Sequence, residues 1–158
     1  MPSQYPHRPI LVAQIQWRGQ PLTLVNVHMQ PNATQALLRR DLPGLPRRTR
    51  DVLQIRKSQW AQVCSLLAAI DGPVLFGGDL NGTPKQRFRT QLRREGLVDS
   101  FDIAGSGFGF SISSELPLRR IDAIWSRGLL ADSSRTVASR ASDHRPVVAT
   151  FCLPESLD

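Results

Sequence analysis

The chain has 158 residues, a length for one domain with a real core. Its 41% hydrophobic and 21% charged content excludes a disordered chain, and no apolar run nears the about 20 residues of a membrane helix. The net charge of +7 favours polyanionic or phosphate-bearing partners, although all but two of the 20 Lys and Arg residues are Arg, as a base-composition bias would also produce. The opening MPSQYPHRP has no apolar stretch behind a basic start. It does not read as a signal peptide, so the expected compartment is the cytoplasm.

In chain order, residues 9–17 and 21–29 are two strand-like runs joined by Arg18-Gly19-Gln20, a hairpin signal. Residues 30–49, with three prolines and Arg39, Arg40, Arg47 and Arg48, read as a loop with one helical turn at 34–41. Residues 50–70 are the clearest helix: Val52, Ile55, Gln59, Val63, Leu66, Leu67 and Ile70 recur on one face. Asp71-Gly72-Pro73 stops it. Val74 to Phe76 form a short apolar strand, suited to burial on both faces, and Gly77 and Gly78 let backbone pack closely beside Asp79.

A second, basic helix is expected at about 84–95, closed by Gly96, and a short strand at 97–102. Residues 104–118 read as a long loop with one extended piece, Phe108–Ile112. Strands at 120–125 and 145–152 follow, joined through a polar segment at 131–142. No internal repeat or linker divides the chain, so residues 1–158 are expected to form a single α+β domain of sheets with helices outside. Cys64 and Cys152 lie in apolar surroundings without CxxC or Cys/His spacing, and nothing supports a disulfide between them.

Four polar motifs end apolar runs: LVNVHMQ (24–30), VLFGGDLNG (74–82), RRIDAIW (119–125) and SDHRPVV (142–148). Asp79 and Asn81 are two apart, so on an extended segment they share a side. Such a pair can orient and deprotonate water or hold a hard cation, and DLNG is equally a plausible turn. Asp143 and His144 precede a strand and could serve a metal and a phosphate oxygen, or merely cap a turn. Asp122 lies inside a strand, where a carboxylate is costly to bury unless paired; a histidine is a fitting partner, and exposure by alternation is the plain alternative. His28 shares its strand face with Leu24 and Asn26, where a lone histidine is more often structural than catalytic.

In this order and spacing, NVH, GGDLNGTP, RRID…W and SDHRPVVATF resemble the endonuclease/exonuclease/phosphatase family, the DNase I-like superfamily, from about Pro9 to Phe151. The resemblance implies a four-layered α/β sandwich, two face-to-face sheets flanked by helices, and hydrolysis of phosphate esters with Mg²⁺ or Mn²⁺. It implies that His144 contacts and stabilises the scissile phosphate, acting as general acid. Asp122 orients His144; Asp79 positions or deprotonates water, with Asn81 beside it. Asp143 helps bind metal together with Asp79 and Asn81, and His28 is a second phosphate-facing histidine.

The family also carries an early strand with Asn and a second ending in Gln-Glu, whose Glu is a principal metal ligand. No QE dipeptide occurs here, and the glutamates are Glu95, Glu115 and Glu155. The domain is therefore expected to be N-terminally incomplete, with weak magnesium binding, poor activity in isolation and self-association through an incomplete sheet. A nuclease or phosphodiesterase is the leading expectation. A phosphatase for a small or lipid-derived phosphate, and a non-catalytic polyanion-binding remnant, are the alternatives.

Overall fold

The computed structural model describes residues 8–31, 45–83 and 87–154. Strands β1 (Leu11–Trp17) and β2 (Gln20–His28) form an antiparallel hairpin. Arg18 and Gly19 both take positive φ, 51° and 79°, at the turn, which matches the twist of two strands joined by two residues. Helix α1 (Leu45–Ala68) then crosses over to β3 (Val74–Asp79), which pairs parallel with β2. Next come α2 (Phe88–Arg94), the two-residue β4 (Val98–Asp99) and α3 (Ser100–Ala104). The chain continues through β5 (Asp122–Arg127), β6 (Leu130–Thr136) and β7 (Val147–Cys152). The five-stranded sheet runs β1-β2-β3-β5-β4, and β6 and β7 make a second, two-stranded sheet. No helix among the described residues is long and apolar enough to cross a membrane.

The core lies between α1, α2 and one face of the larger sheet. Val25, Val27, Val74, Phe76 and Trp125 of the sheet meet Trp60, Val63 and Leu67 of α1 and Leu92 of α2. Trp60 stacks on Phe88 with ring centroids 4.6 Å apart. On the opposite face a gap of about 360 Å³ separates Leu24, Leu75 and Ile124 from Arg145 and Val147. Leu75 is accordingly only half-buried, against the expectation that β3 is covered on both faces, while Val74 and Phe76 are fully buried. At the β1 edge, Leu11, Val12 and Ile15 are exposed.

Several expectations need correction. The first long helix begins at Leu45 rather than 50, with Pro46 in its first turn, where a missing N–H costs nothing. Its buried positions are Val52, Arg56, Trp60, Val63 and Leu67. The second helix is shorter than expected, Phe88–Arg94. The strand expected at 97–102 shrinks to two residues, because the Asp99 carboxylate accepts from the Phe101 N–H at 3.0 Å and starts α3 there. Most of β6 lies in the polar segment expected at 131–142: Ser134 is buried with its Oγ 3.0 Å from Ser100 Oγ, and Ser133 and Thr150 bond across the ladder at 2.7 Å. The extended piece expected at 108–112 forms no strand; Ile112 makes only isolated bridges to Arg119 and His144. Cys64 and Cys152 are free, and Cys152 is exposed. The helical turn expected at 34–41 and residues 84–86 lie outside the described residues.

Gly78 shows how tightly the site's strands are joined. Its φ is +128°, and a Cβ there would sit 2.0 Å from the Val27 carbonyl oxygen. Gly78→Ala must therefore move β2 away from β3 as well as strain the backbone. The expected loss is about 3 kcal/mol or more, read as a lowered denaturant midpoint.

Candidate functional site

Strand register assembles the site. His28 closes β2 and pairs with Asp79, the last residue of β3; Asp79 in turn faces Asp122, the first residue of β5. Three polar side chains thus cross one sheet edge in a row. The loop before β7 brings His144 to the same place, its Nδ1 2.8 Å from Asp122 Oδ2. His28 Nε2 lies 3.2 Å from Asp79 Oδ2. Ligand atoms of Asp79, Asp122 and His144 all lie within 4.8 Å of one another.

Asp79 and Asn81 do meet, but not by strand alternation. The strand ends at Asp79, and Asn81 takes φ +46°. That turn lets the Asn81 backbone N–H donate to Asp79 Oδ1 at 2.8 Å, while its Nδ2 donates to Asp79 Oδ2 at 2.9 Å and to the Met29 carbonyl at 2.9 Å. The turn reading and the site reading of DLNG thus describe one geometry, in which the turn itself fixes the carboxylate. Backbone bonds from Met29 N–H to the Asp79 carbonyl and from Leu80 N–H to the Ile121 carbonyl hold the three strand ends together.

Burial raises the Asp79 carboxyl above its ordinary pKa. The Asn81 N–H opposes this, the nearby Asp122 charge adds to it, and His28 and His144 oppose it. For His144, burial alone would lower the pKa. The hydrogen bond and charge of Asp122, with the charges of Asp79 and Asp143, outweigh it and raise the imidazole pKa. The expected histidine partner of Asp122 is therefore His144. Asp143 stands outside the close cluster: it is exposed, and its carboxylate accepts from Ser142 Oγ at 3.2 Å.

Sequence reasoning missed Arg56. It is buried beneath the site, donating to the Gln30 carbonyl and, at 3.3 Å, to the Leu80 carbonyl, so it ties the exits of β2 and β3 together. Burial lowers its pKa, and the Asp79 charge partly restores it. The available signal was an arginine on the apolar stripe of α1, between Val52 and Trp60.

The larger sheet, the second sheet and the polar row at the strand ends make an α+β scaffold that gathers its ionisable side chains at one sheet edge. The chain belongs to the endonuclease/exonuclease/phosphatase family, whose model matches residues 3–144. No curated protein matches. Among solved structures, the fold is similar to an endonuclease/exonuclease/phosphatase family protein from Leptotrichia buccalis, at TM-score 0.62 and 15% identity over 91% of this chain and 54% of that one. It is also similar to D. rerio TDP2 complexed with a single-strand DNA product, at 0.63 and 19% over 92% of this chain and 62% of that one. A mannosyl-6-phosphatase of Bacteroides thetaiotaomicron matches at 0.53 and 16%, over 86% and 53%. The chain thus spans between half and two thirds of these structures.

Proposed function

We propose that the chain is a metal-dependent phosphoester hydrolase, one domain over residues 1–158, acting on phosphodiesters in preference to monoesters. The convergence of Asp79, Asp122 and His144 on one sheet edge carries this reading, and the net charge of +7 favours the nucleic acid branch. The donor set fits a hard cation such as Mg²⁺ or Mn²⁺. Asp79 and Asp122 offer carboxylate oxygens, whereas His144 Nδ1 is engaged with Asp122. Asp79, Asn81 and Asp143 are the proposed ligand residues: Asp79 lies in the close cluster beside Asp122, Asn81 is held against it, and Asp143, outside the cluster, would join from the loop that carries His144. The cation would neutralise charge on the phosphate oxygens.

The chain's own residues supply the proton chemistry. Asp79, its orientation held by Asn81, accepts a proton from the attacking water. The water oxygen bonds to phosphorus, the P–O ester bond breaks and its electron pair leaves on the ester oxygen. His144, held through Nδ1 by Asp122, presents Nε2 to that oxygen and donates a proton. His28, beside Asp79, faces the phosphate from the other side. Among the described residues no glutamate joins the cluster, so turnover is expected only with millimolar metal.

Plasmid DNA and a simple phosphomonoester, each incubated with magnesium and with EDTA, test this. EDTA-sensitive cleavage of the plasmid is expected. Turnover of the monoester alone would favour the phosphatase reading. Binding of DNA without cleavage of either substrate would leave a non-catalytic polyanion-binding protein and defeat the proposal.

A further inference from the structure

We propose that Ser111 is a positioning residue that sets the spacing of the Asp122–His144 pair. Ser111 is fully buried, yet it lies in a segment with no regular secondary structure. Its Oγ accepts two backbone donors, Ile121 N–H at 3.2 Å and Asp122 N–H at 3.1 Å. The second of these belongs to the carboxylate residue itself. The main chain of Ser111 reaches the other partner: its carbonyl accepts from Arg145 N–H at 2.7 Å, one residue beyond His144. Ile112 bridges directly to His144. Two further bonds fasten the same loop, from Ser114 N–H to the Asp143 carbonyl and from Arg145 Nε to the Ser114 carbonyl, both 2.8 Å.

One side chain and its own backbone thus grip both members of the pair, which come from elements 22 residues apart. β5 begins at Asp122, so its first N–H groups need an acceptor when buried. Ser111 Oγ meets this need in a way that also fixes where the Asp122 carboxylate starts. An alanine would leave two buried N–H groups unpaired and free the start of β5 to shift relative to the His144 loop. A shift of about 1 Å is enough to cost about 100-fold in rate when a proton donor must be aligned.

Ser126 provides the control. It is also buried, in the same strand as Asp122, and its Oγ donates to the Leu129 carbonyl at 3.1 Å without touching the pair. The test is ¹⁵N–¹H NMR of histidine-labelled protein, reading the His144 Nδ1 proton held by Asp122, together with thermal melting and hydrolysis. Ser111→Ala is expected to broaden or abolish that resonance and to lower hydrolysis by about 10- to 100-fold. Ser126→Ala is expected to lower the melting temperature and keep the resonance. Should Ser111→Ala fail to fold, Ser111→Cys, with its weaker sulfur acceptor, serves in its place. An unchanged resonance in the Ser111 variant, or equal loss in Ser126→Ala, overturns the proposal. The inference draws its activity arm from the hydrolase reading. If the wild type cleaves no phosphoester, that reading fails, and the resonance still decides Ser111.

Discussion

Asp79→Asn is expected to reduce metal-dependent hydrolysis by about 10³-fold or more while the fold is kept or made slightly more stable. The two halves of this expectation have the same cause. Asp79 and Asp122 face each other across β3 and β5, and like charges directly opposite in a sheet repel. Burial adds a desolvation cost, which together with Asp122 outweighs the favourable Asn81 N–H and keeps the Asp79 pKa high. A neutral amide removes the repulsion and preserves the volume. It also removes the proposed proton acceptor and a proposed cation ligand. Steady-state rates in saturating magnesium, with melting curves for both proteins, check this. A variant that is less stable and equally active would show that Asp79 is structural.

The second large effect concerns Asp122 and His144, which should behave as one unit. Asp122→Asn and His144→Gln are each expected to cost about 10²- to 10³-fold, and the double variant little more than the worse single one. On the proposed mechanism Asp122 acts through the imidazole: its Oδ2, 2.8 Å from Nδ1, accepts the proton there and so leaves Nε2 for the leaving oxygen. The pH profile carries a sign. His144 must be protonated to act as an acid, and Asp122 is the largest contributor raising its pKa against the effect of burial. In Asp122→Asn the imidazole therefore loses its proton at lower pH, and the alkaline limb of the profile moves down. Fully additive losses, or an alkaline limb that stays in place, would show that the two residues work separately.

The chemistry-bearing residues were legible because they sit where burial needs a reason. Asp122 within RIDAIW posed a question of pairing, and His144 of SDHRPVV, which the family resemblance set beside it, is its partner. The hairpin at Arg18-Gly19 was legible because the turn type demands positive φ. What stayed hidden depends on long-range contact. Strand β6 carries Asp132, Ser133, Ser134 and Arg135, and shows no hydrophobic alternation, since it is made by pairing with β7 rather than by its own pattern. Arg56 stands on the apolar stripe of α1 with nothing nearby in sequence to pair it; only the carbonyls of Gln30 and Leu80, delivered by distant strands, explain its burial. Ser111 lay in a Gly/Ser-rich loop whose composition suggests exposure, yet two N–H groups of the β5 start close over it. The proximity of Asp79 and Asn81 was legible, but its mechanism was not, because a single positive φ at Asn81 replaces strand alternation.

The central claim is that this edge of the sheet directs water to phosphorus. Hydrolysis of a phosphodiester in H₂¹⁸O with magnesium, followed by mass spectrometry of both products, tests it most directly. The account predicts one ¹⁸O atom in the phosphate-bearing product, none in the released alcohol, and no labelled product with Asp79→Asn. Label in the alcohol, or labelled phosphate formed equally well by Asp79→Asn, would contradict it.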